Sequence, residues 1–102
     1  MRKMMFRNED VHRVLMGVPQ EHRHIRTVLD ARDDVVILQE VTIASIVRAF
    51  ITLKTHPTLC GIELVQRSYD ERKEGYAKHQ LVESEKGSED VVSELSQIVK
   101  EQ

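Results

Sequence analysis

The chain has 102 residues, 40% of them hydrophobic and 31% charged, with a formal net charge of −2. That length fits one domain, residues 1–102 with frayed ends at 1–7 and 100–102, and the balance excludes disordered and membrane-embedded classes. The charge is uneven: residues 1–82 carry 13 basic and 11 acidic side chains, residues 83–102 carry 2 and 6, and so acidic a tail argues against nucleic acid wrapping the whole surface.

The opening MRKMMFRNED is basic, but acidic residues follow it instead of a long apolar run, unlike a secretory signal. Asn8 is then a candidate N-cap, with Glu9 and Asp10 suited to the first turn of a helix. Val11, Val14 and Leu15 recur at helical spacing, which predicts a short helix over 8–16, ended by Gly17.

After Val18 and Pro19 comes EHRHIRTVLDARDD, residues 21–34. As a helix it would align Ile25, Val28 and Leu29; as a strand, Ile25, Thr27, Leu29 and Ala31 alternate with His22, His24, Arg26 and Asp30. The β-branched run from Val35 needs a pairing partner, and the polar residues 31–34 have the length of a hairpin loop. Both favour a hairpin of 23–30 with 35–40.

VTIASIVRAFITLK, residues 41–54, reads as a central helix ended at His56-Pro57, because a residue before proline is pushed out of helical geometry. Arg48 interrupts it, and it falls short of the roughly 20 apolar residues a membrane span needs. Val41, Ile43, Ala44, Ile46, Val47, Phe50, Ile51 and Leu53 cover most of its circumference, leaving a stripe of small residues at Thr42, Ser45, Ala49 and Thr52. Such a helix packs on more than one side, against the sheet and against a second helix or subunit. Arg48 needs an acidic partner such as Glu40 or Glu63, or a path by which its long stem reaches solvent.

Residues 59–69 and 76–84 predict a second hairpin around the charged loop DERKEG, with Gly75 at its turn. Gly87 and Ser88 then offer an N-cap to a closing helix with Val91, Val92, Leu95, Ile98 and Val99 on one stripe. The expected fold is α+β: a short N-terminal helix, then β-β-α-β-β-α. Its largely antiparallel four-stranded sheet would carry the helices on one face.

Chemistry-bearing patterns are sparse. His22, His24, His56 and Cys60 are metal-ligand types, and a strand would aim the two close histidines to one side. Trustworthy zinc motifs need paired short spacings that one cysteine cannot supply, and Arg26 on that same face would oppose a cation. Nucleophilic catalysis would need Cys60 activated by His56 or His79, but between Leu59, Gly61 and Ile62 it reads as a buried, inert thiol, and His79 with Ala77 and Leu81 as a half-buried core histidine. The four glycines, at 17, 61, 75 and 87, form no phosphate-cradling loop. The carboxylates Asp33, Asp34, Asp70, Glu71 and Glu74 fall in expected turns, where solvated side chains outnumber catalytic ones.

A basic set exists in Arg2, Lys3, Arg7, Arg23, Arg26, Arg72, Lys73 and Lys78, with Tyr69 and Tyr76 beside the second loop as stacking candidates. The reading favoured by the central helix is a cytoplasmic, non-enzymatic binding or assembly module without cofactor. It would self-associate or meet a protein partner through Arg48 and Phe50, and would not engage a membrane. The alternatives are a nucleic-acid binder using that basic set, and a metal- or thiol-dependent enzyme.

Overall fold

The computed structural model describes residues 1–69 and 77–100, and the architecture is α+β. The chain forms two compact units, Met1–Ile43 and Ala44–Gln102.

The first unit opens with a single 3-10 turn, Asn8–Asp10, whose Asp10 carboxylate accepts the Arg7 backbone N–H at 2.9 Å. The expected helix over 8–16 goes no further. From Val11 the chain is a strand, β1 (Val11–Gly17), paired antiparallel with β2 (Arg26–Ala31) from Val11↔Ala31 to Gly17↔Arg26. Val11, Val14 and Leu15 keep helical spacing, but the ladder offered by β2, which satisfies a whole strand of backbone groups, overrides it and puts Val14 and Leu15 on opposite faces.

β2 pairs on its other side with β3 (Asp34–Gln39), giving the order β1-β2-β3. The hairpin expected over 23–30 and 35–40 therefore exists, shifted to 26–31 and 34–39. Its loop shortens to Arg32 and Asp33, because Ala31 pairs with Asp34. A two-residue hairpin turn demands positive φ, and Arg32 supplies it at 54°. Its side chain holds the N-terminal segment: the guanidinium meets Asp10 at 3.4 Å, stacks 5.0 Å from the Phe6 ring centroid and donates to the Met5 carbonyl.

The register assigns each side chain to a face of this sheet. One face carries Met16-Thr27-Leu38, Val14-Leu29-Val36 and Val11-Ala31-Asp34 in rows; the other carries Leu15-Val28-Ile37 and Arg13-Asp30-Val35. The fully buried residues Ala31 and Thr27 both lie on the first face, in line with the alternation expected for Thr27, Leu29 and Ala31.

The boundary between the units falls inside α1 (Glu40–Thr55), which starts and stops where the apolar run and His56-Pro57 predict. In the second unit β4 (Leu64–Ser68) pairs antiparallel with β5 (His79–Glu83), and α2 (Ser88–Lys100) closes the chain. The expected loop DERKEG and Tyr76 lie outside the described residues. The four-stranded sheet is corrected to two sheets, one of three strands and one of two. The segment read as the first helix supplies the extra strand, and β4 and β5 pair only with each other.

Ser88 does not serve as a simple N-cap. Its Oγ accepts the N–H groups of Cys60 and Gly61, both at 2.8 Å, and so ties the segment before β4 to the first turn of α2. The approach is close enough that a Cβ on Gly61 would stand 3.0 Å from the Ser88 carbonyl oxygen and 3.1 Å from Val91 Cγ1. Among the described residues no helix is long and apolar enough to cross a membrane.

Candidate assembly interface

Interior apolar packing is slight. Among the described residues Ala31 is the one buried hydrophobic side chain; the other buried residues are Thr27 and Ser45, at 5% and 4% exposure, and Gly61. The larger apolar side chains concentrate on element faces that lie open.

In the first unit the open face is the one bearing Leu15-Val28-Ile37. Val35 and Ile37, on the edge strand β3, are 62% and 63% exposed, and Leu15 lies in the same apolar row across the sheet. The Arg13–Asp30 ion pair, at 3.4 Å, and the Arg26-Gln39 pair are polar elements of that face.

In the second unit α1 divides lengthwise. Ser45, Arg48, Ala49 and Thr52 line an open cavity of about 250 Å3 together with Leu64, Leu81 and Glu83 of the β4-β5 hairpin. Ile46, Val47, Phe50 and Ile51 project from the opposite side of the helix and are exposed, Phe50 at 60%. The side of this helix that meets the β4-β5 hairpin is thus the small-residue stripe, and the large apolar residues lie on the side left exposed. On α2 the stripe buries only its start: Val91 and Val92 are half-buried, while Leu95, Ile98 and Val99 are exposed.

The residues singled out for chemistry are dispersed within their units. His22 sits in a turn, its N–H bonded to the Pro19 carbonyl, beside Glu21 at φ 68°. His24 Nδ1 lies 3.2 Å from Glu40 Oε2, and Glu40 Oε1 accepts the Ile25 N–H. Neither histidine is on a strand, so the shared face that a metal pair required is absent. His56 Nδ1 contacts Thr58, and Cys60 Sγ lies 3.0 Å from Ser88 Oγ. Cys60 is exposed, which corrects the expectation of burial. His79 is also exposed instead of half-buried, its Nδ1 2.9 Å from Ser68 Oγ. Among the described residues no cluster of three or more His, Cys, Asp or Glu side chains is arranged to hold a metal ion.

Arg48 reaches solvent and donates to Ser45 Oγ at 3.3 Å, which matches the snorkelling stem more than a buried acid pair. Of the basic set, Arg2, Lys3, Arg7, Arg23 and Arg26 belong to the first unit and Lys78 to the second, while Arg72 and Lys73 lie outside the described residues. Arg26 turns back to the His24 and Ile25 carbonyls at 3.4 Å.

One charged cluster went unread in the sequence. Lys86 bridges Glu63 at 3.2 Å and Glu94 at 2.6 Å, joining the segment before β4 to α2. A hydrogen bond from the Ser84 side chain, then the Lys86 ammonium, holds the Glu63 carboxyl below the usual carboxylate range; Glu94, then Glu63, pushes Lys86 up. Residues 23 and 8 apart in sequence give no local spacing signal for such a bridge. The arrangement is structural, and the apolar faces are the feature for which the fold itself offers no use.

No family model matches the chain, and no curated protein or solved structure matches it either.

Proposed function

We propose that the chain is a non-enzymatic assembly module that works as a homo-oligomer, its open apolar faces covered by further copies of itself. The observation that carries this is the imbalance between interior and surface: among the described residues Ala31 alone is a buried hydrophobic, while Val35, Ile37, Phe50, Ile51 and Leu95 are each more than half exposed. Exposed side chains of that size recurring at strand and helix periods mark interaction surfaces more often than solvent-facing ones.

The area supports the same reading. The chain exposes 8777 Å2, whereas two separate compact units sharing its 11.8 kDa would expose about 7,100 Å2. The surplus, roughly 1,700 Å2, exceeds the ~800 Å2 that each partner contributes to a standard stable interface.

Light scattering and sedimentation velocity on the full chain, from low to high micromolar concentration, test the proposal. The expected result is a mass of at least twice 11.8 kDa. A monomer throughout that range would overturn it.

A further inference from the structure

We infer that the β3 edge is the contact through which two copies join, pairing antiparallel with β3 of the second copy about a two-fold axis at Val36. The inference deepens the assembly reading and rests on it.

β3 is an edge strand, bonded to β2 on one side only among the described residues. An edge presents unpaired N–H and C=O groups, and proteins ordinarily protect such edges with proline, lysine, a bulge or a cover. The opposite edge, β1, is protected in this way. Its register breaks between Val11 and Arg13, it carries the Arg13 charge, and it runs from Gly17 toward Pro19. β3 carries no proline, lysine or bulge. Its sequence DVVILQ contains neither proline nor a basic residue, and its register against β2 is unbroken from Asp34 to Gln39.

Symmetry and charge together select the register. A two-fold axis normal to the sheet keeps each face on its own side only if the strand pairs about a residue, so Val36 and Ile37 are the central choices. Centring on Ile37 sets Asp34 opposite Glu40, two carboxylates in apposition, which opposes pairing. Centring on Val36 sets Asp34 opposite Leu38, and Val35 opposite the second copy's Ile37. The two exposed apolar side chains of the strand, at 62% and 63%, then cover each other twice across the axis. β-branched cross-strand neighbours of this kind are the favourable units of sheet pairing. The result is one sheet continuous across both copies, in which each copy's apolar row Leu15-Val28-Ile37 is extended by the other's Val35 on the open face.

The test uses two double variants of the full chain at positions whose side chains already face solvent, with far-UV circular dichroism confirming the fold. Val35→Lys/Ile37→Lys opposes like charges in the inferred register, and the expected result is a twofold fall in mass relative to the unsubstituted chain. Val35→Lys/Ile37→Glu places opposite charges across the same axis, and the expected result is a retained dimer that dissociates as salt is raised. A Lys/Lys variant of undiminished mass would overturn the β3 contact and leave the assembly reading standing. A Lys/Glu variant as monomeric as the Lys/Lys one would overturn the Val36 register. An unsubstituted chain that is monomeric at high micromolar concentration would overturn both readings together.

Discussion

Arg32 carries two opposing contributions in one residue. Its φ of 54° is strained for a side chain with a Cβ, by about 1 kcal/mol, while its guanidinium ties Asp10, Phe6 and Met5 to the turn. Replacing it separates the two. Arg32→Ala loses the ties and keeps the strain; Arg32→Gly loses the ties and releases it. The expected order in urea unfolding is that the glycine variant is more stable than the alanine variant by ~1 kcal/mol, and equal midpoints would show that the turn relaxes out of positive φ. Thr27 presents a simpler case. Its Oγ1 is buried on the central strand without a hydrogen-bond partner. Thr27→Val removes the unsatisfied hydroxyl at nearly constant shape and is expected to stabilise the chain by about 1 kcal/mol, read as a higher denaturation midpoint at unchanged slope.

Between elements, Lys86 is the cross-brace whose charge can be titrated. The Glu63 carboxyl is depressed in the folded chain, so its contribution is present above the unfolded value and lost as pH falls through the folded one. The Lys86 ammonium is raised, so its contribution is present below the unfolded value and lost as pH rises through the folded one. The native chain is therefore expected to show a stability plateau through neutral pH that falls at both ends. Lys86→Met should abolish the alkaline decline due to this group but only reduce the acid one, because Ser84 is the first cause of the Glu63 shift and remains. Urea midpoints measured across pH check both limbs, and an unchanged alkaline limb would show that the brace does not act in solution. Both helices of this unit were legible from the sequence: α1 is bounded by the apolar run and His56-Pro57, and α2 by Gly87-Ser88 and its apolar stripe. β1 was not, because Val11, Val14 and Leu15 keep helical spacing without strand alternation and the deciding partner, β2, lies far along the chain. His22 and His24 read as strand residues although they lie in the turn before β2, since Glu21 at positive φ carries no residue signature. The apolar residues of α1 were legible as residues, but not which side of the helix the hairpin would take: periodicity shows which side chains share a face, and only packing shows what covers it.

For the molecule as a whole, the question is how a chain with so little interior remains folded. Burial of apolar surface is the principal term opposing conformational entropy, and a chain of this size ordinarily gains it within its own core. Here the apolar side chains that would supply it, Ile46, Val47, Phe50 and Ile51 on α1 and Leu95, Ile98 and Val99 on α2, face outward with Val35 and Ile37. If assembly covers them, folding and association form one equilibrium, and stability must depend on concentration by mass action. For a dimer unfolding to separate chains, each tenfold rise in concentration adds ~1.4 kcal/mol, which for two chains of this length raises the melting temperature by about 3 to 5 °C. Calorimetry from a few micromolar to a few hundred micromolar is expected to show that drift, with the single transition of a coupled process. A melting temperature independent of concentration over that range would mean that each chain is stable by itself and that its apolar faces contribute nothing to holding it folded.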